Sequence, residues 1–168
     1  MFSVTSDQLQ ERVLHDEDDA EFWDHWGPNG TNLVCTPLYY RAFLDRYPDR
    51  IAEVFTAIAR AEPGGVLYHC AAGRDRTGLI SLVLLHLVGV EPEAIAADHS
   101  LSTERLAPAW ADLGMADETM AIEKSITERD TTARESILNT LSGLDSAEYL
   151  RNSGLTSTDV EALRARLR

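Results

Sequence analysis

Cys70 and Arg76 stand six positions apart across a run of small residues, a spacing suited to chemistry on a phosphate ester. The full segment reads His69-Cys70-Ala71-Ala72-Gly73-Arg74-Asp75-Arg76-Thr77-Gly78. Hydrolysis of such an ester through a covalent intermediate needs a thiolate, several donors for three equatorial oxygens, and a proton source for the leaving oxygen. A loop between a strand end and a helix N-terminus can supply most of these. Its successive backbone N–H groups can curl into an anion nest, and the helix start adds positive potential. Ala71, Ala72 and Gly73 are small enough to let that backbone approach an oxyanion. Cys70 is then the candidate nucleophile: positive surroundings lower a thiol pKa from its free value of roughly 8.5. The guanidinium of Arg76 can return over the nest and grip two phosphate oxygens at once. Thr77 can offer a hydroxyl to the sulfur, and His69 reads as a residue that orders the loop rather than as a base.

The elements around this loop have to place it. Pro63-Gly64-Gly65 marks a turn, and Val66 to His69 is a short apolar run that reads as a buried strand of a parallel sheet. The helix expected from about Arg76 to Gly89 is apolar almost all round and should be central. Upstream, Ile51, Val54, Phe55 and Ile58 recur at helical spacing, with Pro48 splitting the stretch from Pro37 to Ala61 in two. Leu33-Val34-Cys35 reads as a short strand and Asn29-Gly30 as a turn. A further helix follows Pro92, and beyond Ser102 the chain reads as helical. There Asp145 caps a helix over 146–152 that stops at Gly154, and a capping box at Thr158-Asp159-Val160-Glu161 opens the last helix. The segment 103–133, with Trp110, Met115 and Met120, reads as ordinary helical packing, the other reading being a mobile lid. The order of strand, tight loop, buried helix and then helices defines an α/β fold: a parallel sheet flanked by helices, with a helical C-terminal extension.

The loop resembles the active-site signature of the protein tyrosine phosphatase superfamily: cysteine, five residues, then Arg-Thr. With Asp75 directly before Arg76, it is similar to the bacterial and fungal tyrosine phosphatase branch related to phosphoinositide (triple-specificity) phosphatases. Loops of that branch end Lys-Asp-Arg-Thr-Gly, and here Arg74 replaces the lysine. The similarity continues through Asp98-His99-Ser100-Leu101-Ser102 and returns in Glu148-Tyr149-Leu150 and Leu163-Arg164, covering roughly residues 37–168. The resemblance implies a phosphocysteine mechanism without metal or other cofactor. Phosphotyrosine, phosphoserine/threonine and phosphoinositides are the substrates it implies. Myotubularin-type lipid phosphatases also place an Asp before the loop Arg, where it is considered the general acid, and no Trp-Pro-Asp element is present here. The site expected is therefore Cys70, Asp75 and Arg76 as catalytic residues, with Ala71, Ala72, Gly73, Arg74 and Thr77 binding substrate. Asp75 has a second reading, as a residue that only pairs with an arginine. Arg74 has two as well: on the rim, meeting a second phosphate, or on the surface, offsetting the acidic domain.

Such phosphatases carry more chain ahead of this region, including a strand with Asp-Leu-Arg that residues 1–32 lack. The N-terminus is therefore expected to be shortened or diverged, and the sheet edge this leaves would allow a homodimer. Residues 1–32 form an acidic lead-in, whose cluster Asp16 to Asp19 reads as a solvated face or helix start, to a catalytic core over 33–102 and a helical part over 103–168. Together these make one phosphatase-like domain over 1–168. Trp23 and Trp26 suggest that the lead-in still docks.

The bulk properties narrow the rest. A net charge of −13 excludes a nucleic-acid binder, so attraction for phosphate must be local to the loop. Cys35 and Cys70 are the only cysteines, too few for a disulfide scaffold and suited to a reducing cytoplasm, with Cys35 read as a small core residue. No signal peptide or membrane span is expected, since the apolar run Leu79 to Val90 is too short and contains His86. His15, His25, His86 and His99 show no metal-ligand spacing. A Walker-type nucleotide loop is excluded because Leu79 stands where its lysine is required. A rhodanese-like transferase would not need Arg-Thr-Gly. The remaining alternative is a pseudophosphatase that binds phosphorylated partners without turnover.

Overall fold

The computed structural model describes residues 3–5, 19–27, 33–70, 72–106, 108, 110, 112, 117 and 119–167. Strand β1 (Ser3–Thr5) precedes α1 (Ala20–Trp26), and a 3-10 turn over Pro37–Tyr39 leads directly into α2 (Tyr40–Arg46). Pro48 opens α3 (Pro48–Ala59) at its first position, where a missing N–H costs nothing and the fixed φ suits the helix. Strand β2 (Leu67–His69) follows, then α4 (Asp75–Leu87), α5 (Pro92–Leu106), α6 (Thr119–Thr127), α7 (Ala133–Leu141), α8 (Ser146–Asn152) and α9 (Ser157–Arg166). No described helix is long and apolar enough to cross a membrane.

The central element is α4, whose Leu79, Ile80, Leu82, Val83, Leu84 and Leu87 are all buried. It packs against α5, α8 and β2. One core joins these residues to Phe55 and Ile58 of α3, Ile137 of α7, Leu150 of α8 and Leu163 of α9. Burying so many large apolar side chains around more than half of one helix is the main favourable term fixing its position.

Several expectations are corrected. Leu33-Val34-Cys35 is a turn: the Leu33 carbonyl accepts from both the N–H (3.0 Å) and the hydroxyl (2.8 Å) of Thr36, which closes the chain before a ladder can form. Strand β2 lies where expected but is not buried, with Leu67 55% exposed, because the described sheet holds only β1 and β2. These two pair in parallel, in the register Ser3 to Leu67 and Thr5 to His69. A wider parallel sheet is absent among the described residues, and the lead-in does contribute a strand. The last capping box sits two residues earlier than expected. Thr156 is the N-cap and Asp159 its reciprocal partner, because Asp159 also reaches back to Arg60 at 2.8 Å. Asp145 caps α8 as its position in the sequence suggests, accepting from Glu148 N–H at 2.9 Å. Met120 is exposed while Trp110 is buried, and Met115, Asn29-Gly30 and His15 lie outside the described residues.

Asp19 is not on a solvated face; Asp16 to Asp18 lie outside the described residues. Buried just before α1, Asp19 accepts from Arg46 at 2.7 and 2.8 Å and from the Tyr47 hydroxyl at 2.7 Å. Phe22 of α1 meets Tyr47 edge-on at 5.0 Å between ring centroids, and Trp23 stacks on Tyr47 at 6.2 Å. These contacts fasten the lead-in to α2. The Arg46 hydrogen bonds outweigh burial and hold the Asp19 pKa down at about 2. A carboxylate depressed in the folded state stabilises above its ordinary pKa, and that stabilisation is lost as pH falls through the folded value. Asp19→Asn is therefore expected to lower Tm by a few degrees at pH 7, with the gap to wild type closing between pH 4 and pH 2 in thermal unfolding.

Candidate active site

The loop between β2 and α4 brings Cys70, Gly73, Arg74, Asp75, Arg76 and Thr77 together. Cys70 follows the last residue of β2 and is buried, 6% exposed. Gly73 adopts φ 74°, a left-handed conformation that costs a glycine little, and its N–H donates to Cys70 Sγ at 3.1 Å. That contact curls the loop back over the sulfur. His69 Nδ1 lies 3.1 Å from the Cys70 carbonyl oxygen. Ala72 is half-buried within the bend, and Ala71 lies outside the described residues. Arg74 takes the N-cap position of α4, so Asp75, Arg76 and Thr77 occupy its first turn.

The environment pushes the two reactive groups in opposite directions. Burial works against a thiolate at Cys70, but hydrogen bonding from the Thr77 side chain and backbone, the charge of Arg76 and the Gly73 N–H outweigh it, and the thiol pKa falls below its usual value. The Thr77 hydroxyl oxygen is itself buried without a partner of full hydrogen-bonding geometry, so its alignment on the sulfur is loose. Asp75 behaves the other way. Burial raises its pKa to about 6, against the lowering influence of Arg74 and Arg76. Its Oδ1 is buried with no hydrogen-bond partner, which favours the protonated carboxyl.

Arg74 is turned inward, only 4% exposed, which corrects the reading of a surface arginine. Its Nε donates to Asp75 Oδ2 at 3.1 Å, and its Nη2 lies 3.4 Å from the Cys35 carbonyl oxygen. The guanidinium carbon is 5.8 Å from the centre of the Trp110 ring, so the arginine ties the segment 103–133 to the loop. Arg74 and Asp75 also line a cavity of about 280 Å³ with Cys35, His99, Thr119 and Glu123. Cys35 is thus half-exposed at a cavity wall, not a core residue.

Three residues near the loop were not singled out from the sequence. Tyr39 is fully buried, and its hydroxyl feels the charges of Asp75, Arg76 and Cys70. Tyr40 donates its hydroxyl to the Asp75 carbonyl oxygen at 2.7 Å and lies 3.0 Å from His99 Nε2. Both tyrosines follow Pro37 at the start of α2, and nothing in their local pattern differs from an amphipathic helix start. His99 sits in the segment after the central helix that carried the family resemblance, the one signal that could have marked it. Among the described residues, no group of three or more His, Cys, Asp or Glu is placed to hold a metal ion.

A buried thiol thus follows a strand end and faces a tight loop that opens a buried helix. A family model described as the tyrosine phosphatase family matches residues 20–168, and the chain belongs to that family. It is 30% identical over 146 residues to the Triple specificity protein phosphatase PtpB of Mycobacterium tuberculosis, covering 74% of this chain and 51% of that protein. It is also 39% identical over 67 residues to a tyrosine-protein phosphatase of Nostoc commune, covering 40% of this chain and 23% of the relative. The matches thus span about half or less of these relatives' lengths.

The electrostatics of the loop can be tested without any substrate. In a Cys35→Ser background, the pH midpoint for iodoacetamide alkylation of Cys70 is expected below that of a free thiol. Thr77→Ala should move it upward. A midpoint unchanged by that substitution would remove Thr77 from the account of the thiolate.

Proposed function

We propose that this chain is a cysteine-dependent phosphatase, with Cys70 as nucleophile, Asp75 as general acid and base, and Arg76 clamping the phosphoryl oxygens. The observation that carries this reading is the opposed titration of two neighbouring groups: a thiol eased toward its anion and a carboxyl held toward its acid. Environments that push two pKa values apart are how one site performs nucleophilic and acid chemistry at the same pH. The Cys70 sulfur attacks phosphorus, the ester P–O bond breaks, and the leaving oxygen takes the Asp75 proton. Water then attacks the phosphocysteine, returning its proton to the Asp75 carboxylate as the P–S bond breaks and inorganic phosphate leaves. In this reading Ala71, Ala72, Gly73, Arg74 and Thr77 are the residues proposed to bind the substrate phosphate, the Gly73 N–H being already turned toward Cys70 Sγ at 3.1 Å. Arg74 contributes by holding Asp75 Oδ2 through its Nε at 3.1 Å.

The substrates proposed are phosphotyrosine, with phosphoserine/threonine and phosphoinositides as the wider range, a breadth in keeping with a mycobacterial relative named a triple specificity protein phosphatase. A cysteine count of two, too few for a disulfide scaffold, fits the reducing cytoplasm in which such a thiol stays active.

Phosphate release from p-nitrophenyl phosphate and from a phosphoinositide panel, in the presence of a chelator, tests the reading. Turnover that vanishes in Cys70→Ser is expected. A folded wild type that binds vanadate without turnover would replace it with the non-catalytic, phosphate-binding alternative.

The pH profile is a second check. Cys70 must be ionised and Asp75 protonated, so kcat/KM should fall as pH rises through about 6. Asp75→Asn should lose that falling limb and about 10²-fold or more in rate on substrates with poor leaving groups.

A further inference from the structure

Asp75 can act on a leaving group only if the first turn of α4 is held at a fixed rotation and height above the loop. Its neighbours in the loop cannot fix that rotation, because they move with it. The fixed reference comes from two other elements. Tyr40 at the start of α2 is completely buried, and its hydroxyl donates to the Asp75 carbonyl oxygen at 2.7 Å. That donation uses its only proton. The 3.0 Å contact between Tyr40 Oη and His99 Nε2 must therefore be a donation from His99, which assigns the imidazole proton to Nε2.

The glycine of the Arg-Thr-Gly motif makes this approach available. A Cβ on Gly78 would lie 2.9 Å from His99 Cδ2, 3.1 Å from His99 Nε2 and 3.1 Å from Tyr40 Oη. Gly78 stands three residues after Asp75, on the same face of α4. The helix is thus seated on the tyrosine–histidine pair at the turn that carries Asp75. Burial, and after it the charge of Arg74, lowers the His99 pKa to about 4 against the smaller raising effect of Asp98, so the neutral ring persists across the working range.

We propose that Tyr40 and His99 are positioning residues for Asp75: the chain His99 Nε2–H to Tyr40 Oη, then Tyr40 O–H to the Asp75 carbonyl, sets where the acid stands relative to the leaving oxygen. The proposal rests on the phosphatase reading above and adds to it two residues drawn from outside the loop.

The test separates acid placement from general stability. A good leaving group needs no protonation, whereas a poor one depends on it, so a misplaced acid penalises only the poor one. kcat and KM are measured for 2,4-dinitrophenyl phosphate and phenyl phosphate with wild type, Tyr40→Phe, His99→Gln, Asp75→Asn and Tyr40→Phe/Asp75→Asn, each with its Tm. Tyr40→Phe is expected to lose about 10-fold or more in kcat on phenyl phosphate and less than about 3-fold on the dinitrophenyl ester, with KM little changed. In the double variant the Tyr40 change should cost nothing further on phenyl phosphate. His99→Gln, which keeps an amide donor near the Nε2 position, should retain more activity on phenyl phosphate than Tyr40→Phe. Equal losses on both esters, or none on either, would overturn the proposal. If Tyr40→Phe does not fold, His99→Gln alone decides by the same ratio of losses, expected to be larger on phenyl phosphate. A wild type that turns over neither ester sinks the phosphatase reading and this one with it. Wild-type turnover with leaving-group-independent losses sinks this one alone.

Discussion

Burial of α4 is the constraint on which the rest depends. Leu79, Ile80, Leu82, Val83, Leu84 and Leu87 cover more than half of its circumference and are all buried, while Ser81, Leu85 and His86 are only partly so. The helix therefore runs through the core with one narrow side toward solvent. Neighbouring helices enclose it, and its N-terminus is left facing the end of β2. The loop that joins them has little freedom: Cys70 at one end and Arg74 at the other are both buried and anchored. The position of the Cys70 thiol is a consequence of core packing.

A buried reactive loop carries an electrostatic cost that the surrounding chain offsets in detail. Burial raises the cost of charge at Cys70 and at Asp75 alike. At Cys70, donors and the Arg76 charge reverse the effect. At Asp75, the Arg74 ion pair only moderates it, leaving a carboxyl that titrates near neutrality. Under the same desolvation the thiol pKa is lowered at one position and the carboxyl pKa raised at the other, and the difference lies in how many hydrogen-bond donors each group receives. A net charge of −13 over the chain repels anions at long range, so any positive potential at the loop comes from these few local donors.

The peripheral contacts follow a similar logic. Asp19 and Asp159 are acids that acidic composition alone would place in solvent. Each instead pairs with an arginine from a distant helix, Arg46 and Arg60, and each closes a helix N-terminus or its approach onto the core. Trp110 plays the corresponding apolar part, lying beneath the Arg74 guanidinium.

The local chemistry was legible in the sequence because it depends on adjacent residues. Cysteine, small residues, Asp-Arg-Thr-Gly and a long apolar run describe a loop on a buried helix, and the turn, proline and capping signals placed α2, α3, α8 and α9 to within a residue or two. What depends on partners far along the chain was not legible. In the run Val66 to His69, Val66 and Tyr68 pack against the core only in part and Leu67 is exposed, since burial of a strand is decided by its neighbours. Arg74 turns inward because the Cys35 carbonyl and Trp110 meet it from elsewhere. Tyr40 and His99 reach the loop across 35 residues and, through each other, 59. The sequence by itself determined which reactive groups the loop contains. Tertiary packing alone decided which buried donors surround them, because a hydrogen bond between distant residues exists only once the core has brought their helices together.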